Sequence, residues 1–226
     1  MTRWGRVSRI RFDPSSADRR IDEVRAWFAA NGRDEFLWTV GANATPADLV
    51  ERLLARGAQP HPREPDMRPM VLNHEPHSAA TVEIRRVETF EDYRLAWELD
   101  FAGADVPEET RAPLLARLVD DWPYFQADPN QIVYIASIDG TAIAYALLAL
   151  PMIGPPYLAG AATVPAGRGR GAYRALVRAR WDEAVRRGTP TLIAQVPEDS
   201  RPLLEGLGFR GGPPIHVLVD HSGSVS

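Results

Sequence analysis

An α/β (α+β) fold is what this sequence predicts, and three features predict it. Residues 157–188 run strand, glycine-rich loop, helix. Residues 131–150 read as two strands on either side of Asp139-Gly140, a pair that supplies the positive φ angles of a two-residue type I′ hairpin turn. From residue 81 onward the elements follow the order β-α-α-β-β-β-α-β-α-β.

In chain order, residues 6–12 alternate like a half-buried strand. Ser15 or Ser16 caps a helix in which Ile21, Val24, Trp27 and Phe28 share a face, ending at Asn31-Gly32. A strand follows at 36–40. Thr45 and Pro46 read as N-cap and first residue of a helix that buries Leu49, Val50, Leu53 and Leu54 and stops at Gly57. A proline-rich loop over 59–69 leads into a short strand at 70–72, and residues 73–80 form a polar linker.

The second half opens with a strand at 81–87. Thr89 caps a helix with Glu91 and Asp92 in its first turn, carrying Tyr93, Ala96, Trp97 and Phe101. After a break at 105–109, Pro113 belongs in the first turn of a helix that buries Leu114, Leu115, Leu118 and Val119. The hairpin strands come next, then an apolar run at 157–164 that a proline ends. In the helix behind the glycine-rich loop, Tyr173, Leu176, Val177, Trp181, Ala184 and Val185 recur at three- and four-residue spacing. Arg174, Arg178, Arg186 and Arg187 lie on its other face. Gly188 and Pro190 close it. A strand at 191–196, a short helix after Ser200 and a strand at 215–219 complete the chain.

Composition narrows the chemistry. Apolar content of 45% and charge of 25% are ordinary for a globular domain. No apolar run is long enough to span a bilayer and the first residues lack a signal-peptide core, so no membrane partner and a cytoplasmic location are expected. Zero cysteines exclude disulfides, thiolate metal sites and a cysteine nucleophile. All 26 basic residues are arginine, which removes Schiff-base chemistry and a lysine general base. A net charge of −4 without a basic block argues against nucleic acid as a partner.

The loop Pro165-Ala-Gly-Arg-Gly-Arg-Gly-Ala-Tyr173 carries the clearest functional signal. A glycine-rich loop at a helix start presents unpaired amides, and glycine lets a ligand approach the main chain. The helix dipole and the charges of Arg168 and Arg170 then favour a diphosphate. The segment from Arg168 to Tyr173, following Val164-Pro165, resembles the coenzyme A loop of the GNAT acyltransferases, Gln/Arg-x-x-Gly-x-Gly/Ala. Arg168 and Gly171 fit that pattern, whereas Tyr173 departs from it. Leu207-Gly208-Phe209 is similar to the family's Leu-Gly-Phe after its fourth helix, and the element order from residue 81 is the family's order.

This resemblance implies a mixed, mostly antiparallel central sheet flanked by helices, and transfer of an acetyl group from acetyl-CoA to a primary amine. It places the pantetheine arm along Ala162, Thr163 and Val164 and the diphosphate on Arg168, Gly169, Arg170, Gly171, Ala172 and Tyr173. No metal is expected. The acceptor is expected to be a small-molecule amine, and the active form a monomer or a homodimer. The tyrosine that many members use as general acid is Leu204 here, so the acid and base are unassigned; Ser200, His216 and Glu98 are the candidates. Ser200 reads equally as a helix cap and His216 as a structural strand residue. Glu98 and Asp100 could hold an ammonium group or form a solvated face. Trp122, Tyr124 and Phe125 could wall an acceptor pocket or belong to the core. Because Leu204 cannot donate a proton, a non-catalytic acyl-CoA-binding or regulatory protein of the same fold is the alternative.

Residues 1–72 repeat the element order of the C-terminal half: a shift of 156 places Gly32 on Gly188 and Val40 on Val196. They are expected to be a degenerate partial copy of the same fold, followed by a linker at 73–80 and the acyltransferase domain at 81–220. The counterpart of the phosphate loop, Phe12 to Asp18, has no glycine and two carboxylates, which would repel a diphosphate. An unrelated small βα module is the alternative. Two other nucleotide folds fit poorly. Gly167-x-Gly169-x-x-Ala172 matches a dinucleotide fingerprint, but only 28 residues (226 − 198) follow Glu198, too few to finish such a sheet. A P-loop lacks its lysine.

Overall fold

A computed structural model describes residues 5–62, 66–77 and 82–223. Contacts divide the chain into two units. The first takes in the described residues of Met1–Pro69, Gln195–Pro202 and Gly211–Ser226, and the second those of Met70–Ala194 and Leu203–Arg210.

In the first unit, β1 (Gly5–Val7) and β2 (Glu35–Val40) pair in parallel and are joined through α1 (Ala17–Ala30). After α2 (Leu49–Ala55) the chain adds β3 (Gln59–Pro60) and the start of β4 (Asp66–Leu72). The chain's last strand, numbered β11 below, is Ile215–His221; it pairs antiparallel with β2, β3 and β4. Ile21 and Phe28 of α1, Phe36 and Trp38 of β2, Leu49 and Leu53 of α2 and Leu218 form the core. Burying each such side chain contributes about 1.5–3 kcal/mol. Phe28 and Phe36 stack with centroids 4.1 Å apart.

An arginine occupies a core position here. Arg25 is 1% exposed; its Nε donates to Asp220 Oδ2 at 2.9 Å, and one Nη donates to Asp220 Oδ1 at 3.0 Å and to the Arg56 carbonyl at 2.8 Å. Trp38 Nε1 donates to the same carboxylate at 2.8 Å. The cation on α1 is thereby tied to β11, β2 and the end of α2.

Several expectations for this unit need correction. The strand at 6–12 stops at Val7, because Arg9 takes a left-handed φ of 56° that breaks the ladder. Ser16 stands at the N-cap of α1 but makes no side-chain cap bond; Asp13 instead accepts from the amide and hydroxyl of Ser15, at 2.9 and 2.5 Å. Trp27 is exposed and Arg25 takes the inward position. α2 begins at Leu49 rather than at Pro46, whose peptide bond with Thr45 is cis, and Leu54 faces out.

The second unit is an antiparallel meander of β5 (Glu83–Arg86), β6 (Gln131–Ile138), β7 (Thr141–Ala149) and β8 (Tyr157–Thr163). β9 (Leu192–Pro197) lies parallel to β8. Asp139 and Gly140 have φ angles of 51° and 73°, the signature of the type I′ turn that closes β6 on β7. α3 (Phe90–Gly103) and α6 (Ala172–Arg186) both pack on β6, β7 and β8. Alternate residues of β6 serve them: Val133 and Ile135 join the cluster of Tyr93, Ala96 and Leu99 on α3, while the ring of Tyr134 lies beneath Arg86, which pairs with Glu183 of α6. Burial would raise the pKa of Glu183, but bonds from Arg187, Arg86 and Arg186 outweigh it and hold the carboxyl below its usual range.

Thr89 caps α3 as expected, its hydroxyl accepting from the Asp92 amide at 3.1 Å. Thr89→Ala should cost about 1 kcal/mol, read as a lower urea midpoint at unchanged slope. The next helix departs from expectation. It divides at Arg117 into α4 (Glu108–Ala116) and α5 (Leu118–Ala127), and Pro113 lies inside α4. Pro107 and the acids Glu108 and Glu109 start the helix earlier than the proline rule suggests. Of the four leucine and valine positions expected to be buried, only Leu118 is; Leu114 and Val119 are exposed. On α6, Val185 is likewise exposed, and Arg180 is fully buried. The short elements α7 (Arg201–Glu205) and β10 (Arg210–Gly211) precede β11. Parts of the expected linker and strand, residues 78–81, and residues 63–65 of the proline-rich loop lie outside the described residues. Among the described residues no helix is long and apolar enough to cross a membrane.

Candidate functional site

The glycine-rich segment takes its shape from three glycines. The Val164 amide donates to the Ile143 carbonyl at 2.9 Å, and residues Pro165–Gly167 then make a 3-10 turn against β7. A Cβ on Gly167 would lie 2.8 Å from Ile143 Cβ, so only glycine fits that approach. Gly169 and Gly171 have φ angles of 73° and 84°, where L side chains are strained, and Gly171 is the N-cap of α6. The Ala175 amide is the first to donate to a loop carbonyl, reaching Gly171 at 3.0 Å. The amides of Ala172, Tyr173 and Arg174 therefore open the helix without a partner inside it. Fifteen residues of α6 align behind them, which adds the dipole's partial positive charge.

β8 leads straight into this loop. It pairs with β7 through most of its length, but with β9 through the single pair Tyr157↔Ile193 among the described residues. Among the described residues no strand pairs with this side of β8 beyond that point; residues of an antiparallel strand alternate in facing their partner, so with the Val164 amide bonded to Ile143 it is the main-chain groups of Thr163 that turn outward. Gly103, at the end of α3, sits against them: a Cβ there would meet Ala162 Cβ at 2.6 Å. Arg168 donates from its guanidinium to the carbonyls of Gly103 at 3.2 Å and Thr163 at 3.4 Å. Its cation thus covers the C-terminus of α3, the end that a positive charge stabilises. Arg170 lies 3.8 Å from Asp139 of the hairpin turn, and both side chains are solvent-exposed.

A polar pair stands beside this strand. The hydroxyl of Tyr145, on β7, donates to Asp100 Oδ1, on α3, at 2.8 Å. A Cβ on Gly160 of β8 would lie 3.4 Å from that hydroxyl, so the glycine leaves the pair uncovered on the β8 side. Burial first, and then the charge of Asp100, push the phenol far above its ordinary pKa. Tyr145 therefore stays a proton donor at every physiological pH. The sequence reading named Asp100 and passed over Tyr145, because the register Tyr145↔Ala162 that sets it beside β8 is visible only in the folded sheet.

The remaining candidates sit elsewhere. Glu98 accepts from Arg94 Nε at 2.9 Å on the outer face of α3, a helix-surface pair. Ser200 ends a 3-10 turn, Glu198–Ser200, before α7, and His216 Nδ1 lies 2.7 Å from Asp66 Oδ1 across the β11–β4 register; both belong to the first unit. Leu204 is 1% exposed and Phe209 3% exposed, so the position of the family's acid is core. Trp122 and Phe125 pack on Tyr93 with centroids 5.4 and 4.7 Å away, whereas Tyr124 is 79% exposed.

No family model matches the sequence. No curated protein sequence matches it either. Solved structures do resemble it. A GCN5-related N-acetyltransferase from Kribbella flavida superposes with a TM-score of 0.64 at 19% identity, over 93% of this chain and 77% of that one. A tandem GNAT protein from the clavulanic acid biosynthesis pathway gives 0.63 at 15% identity, over 91% of this chain and 70% of that one. A GCN5-related N-acetyltransferase from Sphaerobacter thermophilus gives 0.61 at 17% identity, over 83% of this chain and 60% of that one. At such identities the likeness is one of fold, and the first two matches extend it over the N-terminal unit as well.

Proposed function

We propose that this chain, which has the fold of the GNAT acetyltransferases, moves an acetyl group from acetyl-CoA to a primary amine. The observation that carries the reading is the loop at the start of α6, where two left-handed glycines precede helix-opening amides that have no partner inside the helix. Those amides and the dipole of α6 suit a diphosphate; the outward-facing amide of Thr163 suits the amide-bearing pantetheine arm. Acetyl-CoA, as co-substrate, supplies the activated thioester.

The chain's own residues then have three tasks. β8 and the loop hold the donor in place, and proximity alone contributes several kcal/mol. Asp100, half-buried beside Gly160, attracts the ammonium form of the acceptor and takes its proton, so that the neutral amine attacks. Tyr145 is a positioning residue: its hydroxyl donates to one carboxylate oxygen and leaves the other for the amine. A small-molecule amine fits this single half-buried carboxylate better than an extended peptide does. With Leu204 in the acid's place, water protonates the departing thiolate.

The test is release of free thiol from acetyl-CoA in the presence of a panel of small primary amines, with acetylated product identified by mass. Amine-dependent release supports the enzyme. Tight coenzyme binding without release on any amine would favour the non-catalytic acyl-CoA-binding reading, which the buried Leu204 supports.

A further inference from the structure

We propose that the N-terminal unit has a binding site of its own, for a small anion bearing carboxylate or phosphate groups. β1 and β2 run paired through Gly5↔Phe36, Arg6↔Leu37 and Val7↔Trp38 and then part. They meet again at the Arg11↔Thr45 bridge, fixed by Phe12 N to Thr45 O at 3.0 Å and Thr45 N to Ile10 O at 3.2 Å. The segment between, with Arg9 held at a left-handed φ of 56°, bows away from the loop after β2. A cleft of about 560 Å³ opens there, within the size range of small-molecule sites.

Its lining is one-signed. Arg6, Arg9 and Arg11 are among the lining residues, with the amide residues Asn43 and Gln195, and no aspartate or glutamate is. Among the described residues, neither Arg6 nor Arg9 has an ion-pair partner, and Arg11 gives one donor to the adjacent Ile10 carbonyl at 2.8 Å. Like charges gathered in a concavity repel, and an anion relieves that repulsion. The guanidinium fork matches the two oxygens of a carboxylate or phosphate.

This site differs from a copy of the coenzyme site. The segment Phe12 to Asp18, the counterpart of the phosphate loop, does not line the cleft, and Asp13 there is engaged with Ser15. The occupant is therefore a small, multiply charged metabolite-sized anion rather than a coenzyme.

Calorimetric titration of the full chain with citrate, and separately with inorganic phosphate, tests this. It is run on wild type, on an Arg6→Ser/Arg11→Ser variant and on an Arg168→Ser/Arg170→Ser variant, with thermal melts to confirm that all three fold. We expect at least one anion to bind wild type at one equivalent, and the first variant to lose about tenfold or more in affinity. The second variant should bind that anion as wild type does. Binding of citrate alone assigns a carboxylate ligand, and of phosphate alone a phosphate ligand. Failure of wild type to bind either, survival of binding in the Arg6/Arg11 variant, or loss confined to the Arg168/Arg170 variant overturns the proposal. Acetyl-CoA titrated into the same proteins reports separately on the coenzyme loop and should be unaffected by the Arg6/Arg11 change.

Discussion

Asp220→Ala should destabilise the protein by about 3–5 kcal/mol, measured as a fall in the urea midpoint, because it strands a buried cation. Arg25 and Asp220 are each 1% exposed and meet through two bonds of 2.9 and 3.0 Å. Removing the carboxylate takes two charged bonds from the buried Arg25 guanidinium and frees the indole N–H of Trp38. It also releases the His221 amide, which donates to Asp220 Oδ1 at 2.8 Å. Replacing both partners by apolar residues, as Arg25→Met with Asp220→Leu, should recover most of the loss, since neither charge is then buried alone. A double variant as unstable as the single one would show that the network holds β11 in place through its bonds and not merely through charge balance.

Asp100→Asn should lower kcat/KM for amine acetylation by about 10²–10⁴-fold, the range of a general base. Asparagine keeps the size and can still accept from Tyr145, but it cannot take a proton. The loss should fall on kcat and leave the KM for acetyl-CoA in place, a split that a merely structural role would not give. Tyr145→Phe should have a smaller effect, about tenfold, because it loosens Asp100 without removing it. Coenzyme binding should be unchanged in both. Equal activity in Asp100→Asn and wild type would remove Asp100 from the mechanism.

Local chemistry made much of this legible from sequence. Asp139-Gly140 closes its hairpin, Thr89 caps its helix, and the Gly169 and Gly171 pattern produces the left-handed loop at the head of α6. What sequence hid depends on residues far apart in the chain. Arg25 and Arg180 sit at inward positions that periodicity assigns to apolar side chains, because Asp220, 195 residues away, and the carbonyls of Leu176 and Leu147 meet them there. The buried faces of α4 and α5 were overcalled, since Leu114 and Val119 keep helical spacing without a neighbour to cover them. Tyr145 reads as one more inward strand residue until the sheet sets it against Asp100 and Gly160. The cleft beside Arg9 depends on a kink that nothing in Ser8-Arg9-Ile10 announces.

Whether the loop before α6 holds acetyl-CoA is decided by calorimetric titration of acetyl-CoA into wild type and Gly171→Glu. Position 171 has a φ of 84° and caps α6, so glutamate there adds strain and sets a negative charge where the diphosphate must lie. A Gly171→Asn variant, which tolerates that backbone and adds no charge, controls for misfolding. Wild type should bind in the micromolar range, Gly171→Asn more weakly, and Gly171→Glu not at all. No binding by wild type, or equal binding by wild type and Gly171→Glu, would contradict coenzyme binding at this loop.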